Sequence, residues 1–145
     1  MLVTRQPSSA GRARDAAGRP VPLGSPHAVE PPPEPALPPL EALALARSLL
    51  ARGRPFFAHD VLEAVWKTAP VAERDLWQGL AQVCVGLTHL QRGNPVGAAR
   101  LLRRGAGTLG PAQPAHGVDV AAVTAQALAA AELVDAGSAP PPLEL

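Results

Sequence analysis

The chain has little of what several protein classes require. Of its 145 residues only one is a cysteine, Cys84, which excludes an internal disulfide framework and suits a reducing compartment. No run of about eighteen apolar residues occurs, so a membrane-spanning helix is not expected. The first arginines are not followed by an apolar stretch, which argues against a secretion signal. We therefore expect a cytoplasmic protein.

A strong charge of either sign is also missing. The formal net charge is +1, and the basic residues are spread along the sequence. A protein that binds nucleic acid or an anionic membrane mainly through charge concentrates its basic residues in one patch. We therefore expect neither of these partners. The sequence leaves open a protein partner or a homo-oligomer.

Large apolar side chains are almost absent from residues 1–37, which are rich in Pro, Gly, Ser, Ala and Arg. Such a segment cannot bury enough surface to offset the entropy lost on ordering, so we predict a disordered tail. Residues 138–145 contain three successive prolines and are predicted to form a second short tail. Residues 38–137 are long enough to form one helical domain.

Apolar residues within that domain recur at helical spacing, and no segment alternates like a strand. Prolines stand where helices can begin, and glycines stand where helices can end. The predicted helices cover about residues 39–52, 55–68, 70–92, 95–108 and 118–136. Short connections favour antiparallel neighbours. We therefore predict an all-α fold, a compact bundle of about five helices.

The third predicted helix has two distinct faces when successive residues are rotated by about 100°. The apolar face is predicted to enter the core and consists of Leu76, Leu80, Val83, Cys84, Leu87 and Leu90. The opposite stripe consists of Arg74, Gln78, Gln82, Val85 and His89. This stripe is polar without a lysine or an acid, and its groups suit convergent hydrogen bonding. The sequence leaves open whether it faces water or contributes to a site.

The second predicted helix carries an imidazole and a carboxylate one turn apart. His59 and Glu63 are four residues apart, so they lie beside Trp66 on one flank and can contact each other or share a ligand. Asp60 and Lys67 are expected to point farther outward. Imidazole nitrogen and carboxylate oxygen bind divalent metals such as zinc, but two such ligands are too few for a zinc site.

The antiparallel pairing of the second and third helices decides which residues can complete the cluster. Gln78 and Gln82 are expected at the level of His59 and Glu63. His89 is expected roughly 15 Å away from that level, at a rise of about 1.5 Å per residue. Glutamine is a poor zinc ligand, so neither amide supplies the missing metal ligand well.

Two interpretations of this cluster stay open. In the first, the cluster binds a divalent metal or a small polar ligand and supports hydrolysis. In the second, the pair of His59 and Glu63 only orients the two helices, with Arg74 neutralising the carboxylate. The domain would then be a non-enzymatic interaction module. The residues do not decide whether the protein is an enzyme.

Three other features receive structural explanations. Residues 105–110, GAGTLG, fit a Gly-x-Gly-x-x-Gly pattern, but they follow a helix instead of a strand and do not predict a dinucleotide site. Cys84 lies among leucines and valines and is expected in the core. His27 and His116 stand among prolines and glycines without a visible partner.

Two stretches of the sequence resemble a known family. They are FFAHDVLEAVW at 56–66 and ERDLWQGLAQVCVGLTHLQRGNPVGAARLL at 73–102. Both resemble the prokaryotic family catalogued as domain of unknown function 309. Its mark is His-x-x-x-Glu-x-x-Trp, followed by a Gln-Gly-Leu helix and a His-x-x-x-Gly-Asn turn. The matching positions are His59, Glu63, Trp66, Arg74, Gln78, Gly79, Gln82, His89, Gly93 and Asn94.

The resemblance implies a compact all-α domain and a metal-binding role for His59 and Glu63. Asp60 stands where the family commonly carries Glu, so the resemblance covers the pair of His59 and Glu63 but implies no role for the neighbouring acid. The residues expected to contact the ligand or support the pair are Trp66, Arg74, Gln78, Gln82 and His89. A divalent metal ion is the expected cofactor.

Overall fold

Helices account for nearly all of the regular structure. The computed structural model describes residues 13–31 and 36–145. The helices in these ranges are α1 (Pro39–Ala51), α2 (Pro55–Thr68), α3 (Arg74–Gln91), α4 (Pro95–Leu109) and α5 (Val120–Asp135). The only β features described are isolated bridges that join Arg14 to Pro20 and Val29. The predicted all-α fold with five helices is therefore confirmed.

Proline and glycine set most of the helix ends, as the sequence predicted. Pro39, Pro55 and Pro95 occupy the first turns of α1, α2 and α4, where a missing N–H costs no hydrogen bond. Gly53 and Gly93 follow α1 and α3 with φ values of 70° and 79°. Glycine adopts this left-handed backbone without a steric penalty, so each of these helices stops there.

The third helix begins later than predicted. Ala69 has a ψ value of 148°, because a residue that precedes proline is pushed out of the helical region, and Pro70 is also extended, with a ψ value of 149°. A short 3₁₀ turn, Val71–Glu73, follows, and α3 starts only at Arg74. The prediction that this helix starts at Pro70 was therefore wrong by one turn.

Each helix packs against the next one along the chain, so α3 lies between α2 and α4. Contact on two sides explains why Trp77 is fully buried, although the sequence analysis assigned it to no face. The largest fully buried side chains are Trp77, Phe57, Leu43, Leu62, Leu76, Leu80, Leu102 and Leu109. Among the described residues, no helix combines the length and the apolar character needed to cross a bilayer.

Glycines let α3 and α4 approach closely. A Cβ on Gly79 would lie 2.6 Å from the Cγ atom of Leu109, and one on Gly105 would lie 2.7 Å from Cγ2 of Val83. Gly105 therefore serves helix packing. Residues 105–109 lie inside α4, which agrees with the structural explanation of the GAGTLG stretch.

Parts of both predicted tails contact the helices. In the described range 13–31, the carbonyl oxygen of Ala17 accepts a hydrogen bond of 2.9 Å from Nε of Arg92. Near the other end, Leu143 is buried, and the main chain of Glu144 makes two hydrogen bonds of 3.0 Å with the side chain of Gln126. The division into a domain and disordered tails stays a prediction, and residues 1–12 and 32–35 lie outside the described residues.

Candidate metal site

The imidazole of His59 has a carboxylate at each of its ring nitrogens. Nε2 of His59 is 2.9 Å from Oε2 of Glu63, the contact expected from their spacing of four residues on α2. Nδ1 of His59 is 3.4 Å from Oδ1 of Asp60. One ligand atom from each of the three residues can be chosen so that all lie within 4.8 Å of one another. This His59, Asp60 and Glu63 group is the candidate metal site.

Asp60 is the most exposed of the three side chains, at 39%, as its predicted outward position implies, yet its carboxylate also approaches the His59 ring. One residue turns an α-helix by only about 100°, so a short carboxylate side chain can still approach the ring of the preceding residue. The resemblance to a family that commonly has Glu at this position was the signal available in the sequence. Helical spacing alone gave no reason to include Asp60.

Burial makes the Nδ1 atom of His59 unusual. The His59 side chain is 21% exposed, but its Nδ1 atom is buried and has no hydrogen-bond partner among the described residues. The Asp60 oxygen is close without forming a hydrogen bond. A buried polar atom without a partner costs about 1–3 kcal/mol, so such atoms are uncommon unless they serve a site.

Glu63 is shared between His59 and a cation. Nζ of Lys67 is 3.7 Å from Oε1 of Glu63, but the Lys67 side chain is 65% exposed. An exposed ion pair of this kind contributes little to stability, about 0–1 kcal/mol. Lys67 can therefore move away from Glu63 at small cost if a metal ion takes its place.

The structural interpretation expected Arg74 to neutralise Glu63, but these two side chains form no ion pair in the described part of the chain. The guanidinium carbon of Arg74 lies 5.1 Å from the centre of the Trp66 ring, in a cation–π contact. Trp66, near the end of α2, is half-buried and packs against the core, and Arg74 covers its ring. These two residues join the end of α2 to the start of α3, and their role as supports of the site stays a prediction.

The two glutamines are not hydrogen-bonded to His59 or Glu63 among the described residues. Oε1 of Gln82 instead accepts a hydrogen bond of 2.7 Å from the hydroxyl of Thr108 on α4. Gln78 is half-buried. The position of each glutamine along α3 could be predicted, but the neighbouring helix that its side chain contacts could not.

His89 belongs to the joint between α3 and α4. Its Nδ1 atom is 3.1 Å from the amide nitrogen of the Asn94 side chain, whose oxygen accepts a hydrogen bond of 3.0 Å from the backbone N–H of Gly97. Asn94 is the N-cap of α4, and His89 fixes its orientation. The His-x-x-x-Gly-Asn turn thus has a structural role here. The offset predicted between His89 and His59 stays a prediction.

His116 has partners that the sequence did not reveal. Its Nε2 atom is 2.5 Å from Oε1 of Glu73, and the same oxygen accepts a hydrogen bond of 3.3 Å from the indole N–H of Trp77. The hydrogen bond from His116 lowers the pKa of Glu73. The expectation that His116 has no partner was therefore wrong, because Glu73 lies 43 residues away in sequence.

Cys84 is buried in the core, as predicted. Burial raises the pKa of its thiol to about 12. A thiol with such a pKa is protonated at neutral pH, whereas nucleophiles and metal ligands are thiolates. Cys84 is therefore excluded from the candidate site by both its position and its protonation.

Comparison with known proteins gives a resemblance to one family over part of the chain, and no activity. Residues 43–101 match the model of the family described as "Domain of unknown function (DUF309)". The resemblance is confirmed over this segment, which contains the whole candidate site and the polar stripe of α3. No curated protein and no solved structure matches the chain.

Proposed function

We propose that the domain, which resembles the DUF309 family over residues 43–101, binds a divalent metal ion at His59, Asp60 and Glu63. The observation that carries this proposal is the buried, unpartnered Nδ1 atom of His59 in a ring flanked by two carboxylates. A histidine that binds a metal through one ring nitrogen usually has a carboxylate or carbonyl oxygen beside the other nitrogen; here Glu63 lies beside Nε2 and Asp60 lies beside Nδ1.

The separation of the ligand atoms supports one assignment of roles. Nε2 of His59 and Oε2 of Glu63 are 2.9 Å apart, which suits two neighbouring ligands of one small cation with bonds of about 2.0–2.2 Å. Asp60 is close to Nδ1, the other nitrogen. His59 and Glu63 would therefore bind the ion, and Asp60 would orient the ring.

The chemistry would follow from the small number of protein ligands. Two side chains are fewer protein ligands than zinc sites use, so an ion bound here would keep several coordination positions for water or for a substrate. A bound divalent cation lowers the pKa of a coordinated water toward neutrality, which is what hydrolysis requires. Hydrolysis is thus the reaction class that we propose, with the substrate left to experiment.

Metal content and metal binding test the proposal. Protein without a histidine tag is analysed by inductively coupled plasma mass spectrometry and titrated with Zn²⁺ and Mn²⁺ in a calorimeter. We expect one ion per chain, no binding in His59→Ala and Glu63→Gln, and binding weakened about tenfold or more in Asp60→Asn. His27→Ala, which changes an exposed histidine outside the site, is the matched control and should bind like the parent.

Two results would contradict the proposal. One is equal affinity in the parent and in His59→Ala. The other is a folded parent that binds none of the added ions. Circular dichroism of every variant separates loss of binding from loss of the helical fold.

The second candidate function is an interaction module, in which the group is structural. It is favoured by Lys67, because this side chain and His59 already occupy both oxygens of Glu63 without an ion. In that case His59→Ala should lower the melting temperature, and a partner protein should co-purify with the parent. A stable His59→Ala variant without any partner would count against this candidate.

A further inference from the structure

Residues 14–20 form a tight turn, the strap, that packs on the first turn of α2. Gly18 of the strap is buried, and a Cβ on it would lie 2.0 Å from Cγ of the Phe56 ring and 2.4 and 2.5 Å from the two Cδ atoms. Gly18 also has a φ value of 79°, which favours glycine. The main chain of the strap therefore lies directly on an aromatic ring of α2.

Two guanidinium groups hold the same ring. The guanidinium carbons of Arg14 and Arg92 lie 5.0 Å and 5.4 Å from the centre of the Phe56 ring, in cation–π contacts. Nη1 of Arg14 donates a hydrogen bond of 2.6 Å to the carbonyl oxygen of Gly18, and Nε of Arg92 donates one of 2.9 Å to that of Ala17. Arg92 follows α3, so the strap is tied to the ends of two helices.

The strap is also shaped by its own hydrogen bonds. Oδ1 of Asp15 accepts hydrogen bonds from the N–H groups of Ala17 at 3.0 Å and Arg19 at 2.9 Å. The N–H of Gly18 donates to the carbonyl oxygen of Asp15 at 3.0 Å. An aspartate that bonds to the main chain ahead of it stabilises a turn without help from other segments. The strap can therefore keep its shape when it leaves the helices.

In the described part of the chain, few contacts hold the strap on the helices. Ala17 is buried, but it lies outside the hydrophobic core that the helices form. Arg92 is exposed and Phe56 is half-buried. Segments with few buried apolar contacts open more readily than helices that pack around a core. Release of the strap should therefore cost much less than unfolding of the domain.

Phe56 connects the strap to the candidate metal site. The centre of its ring is 6.0 Å from that of the His59 ring, at an interplanar angle of 49°. The imidazole thus lies beside an aromatic ring that the strap holds in one position. A half-buried ring without this cover would be free to change rotamer.

We propose that the strap controls access to His59. In the closed state it holds Phe56 beside the imidazole and shields it. In the open state Phe56 turns away, and a ligand can reach the imidazole. The control of metal entry rests on the proposed function, whereas the shielding of His59 can be measured without a metal.

Chemical modification of His59 in the metal-free full chain tests the shielding. Diethyl pyrocarbonate acylates accessible imidazole nitrogens, and mass spectrometry of the peptides gives a rate for each histidine. Gly18→Ala places a methyl group against the Phe56 ring and should release the strap, so His59 should react about fivefold faster or more than in the parent. His116, which is paired with Glu73, should react at the parental rate.

Gly24→Ala is the matched control. Gly24 has a φ value of 80°, close to the 79° of Gly18, but a Cβ on it would meet no described atom within 4 Å. Both substitutions strain the same backbone conformation, and only Gly18→Ala collides with Phe56. The rate of His59 modification in Gly24→Ala should therefore equal that of the parent.

Arg92→Gln loosens the strap without backbone strain, and it decides the question if Gly18→Ala fails to fold by circular dichroism. It removes the hydrogen bond to Ala17 and one cation–π contact, so His59 should react about threefold faster. Parental rates in Arg92→Gln and in a folded Gly18→Ala would overturn the proposal. Equal acceleration in Gly24→Ala and Gly18→Ala would also overturn it.

Stopped-flow mixing with Zn²⁺ connects the strap to the metal site. Gly18→Ala should speed the association of the ion by about the same factor as the modification of His59, and Gly24→Ala should not. Equal association rates in the parent and in Gly18→Ala would overturn the control of access. A chain that binds no ion would contradict the proposed metal site alone, because the modification rates require no ion.

Discussion

The close contact between α3 and α4 yields a prediction with its control in the same helix. Gly105 and Gly107 both lie inside α4, where alanine is intrinsically more favourable than glycine by about 1 kcal/mol. A Cβ at Gly107 would have no neighbour within 4 Å. A Cβ at Gly105 would lie 2.7 Å from Cγ2 of Val83, 3.0 Å from its backbone nitrogen and 3.1 Å from the carbonyl oxygen of Gly79.

The magnitude follows from these distances. Two of the three atoms near Gly105 belong to the backbone of α3, so they cannot move without shifting that helix. Overpacking of a close-packed interior costs about 1–3 kcal/mol. Gly107→Ala should therefore raise the free energy of unfolding by about 1 kcal/mol, whereas Gly105→Ala should leave it unchanged or lower it by up to about 2 kcal/mol. The helix-propensity gain is common to both variants, so their difference reports the steric cost alone.

Urea unfolding, followed by circular dichroism and by the fluorescence of buried Trp77, measures both free energies. The dependence of the free energy on urea should be the same in both variants and the parent. If Gly105→Ala proves as stable as Gly107→Ala, the packing argument for α3 and α4 is refuted.

Two further predictions concern the other polar contacts. The pKa of Glu73 is lowered below its ordinary value of 4.5 in the folded state, mainly by the His116 hydrogen bond, so its stabilisation is present above pH 4.5 and is lost as the pH falls through the folded value. Urea unfolding between pH 6 and pH 3 should therefore show a steeper loss of stability in the parent than in Glu73→Gln, and parallel curves would contradict this. Asn94→Ala should cost about 1 kcal/mol, because the N–H of Gly97 and the ring of His89 both lose a partner. Equal melting temperatures of this variant and the parent would show that the cap is dispensable.

Local signals were enough to predict most of the fold. Gly53 and Gly93 mark the ends of α1 and α3, and Pro55 and Pro95 mark the starts of α2 and α4. Each acts within one or two residues of its own position, so these helix boundaries could be inferred without tertiary information. The start of α3 was missed because Pro70 opened a 3₁₀ turn where an α-helix was expected. The expected cytoplasmic location and the expected absence of nucleic acid as a partner stay predictions.

The candidate site was predictable only within one helix. The contact of His59 with Glu63 follows from their spacing of four residues, which brings two side chains together in any α-helix. Helical spacing gave the level of Gln82 along α3, but whether its amide meets α2 or α4 depends on how the helices rotate about their axes. The structure turns it toward Thr108 of α4.

The sequence by itself determined the helices, their order and the His59 and Glu63 pair, because each depends on residues a few positions apart. Tertiary structure alone decided the contact of Glu73 with His116, the burial of Trp77 and the packing of Gly18 on Phe56. These features join segments that are far apart in sequence, and they depend on which surfaces remain uncovered after the helices have packed. Periodicity places a residue on a face of a helix, but only packing decides what covers that face.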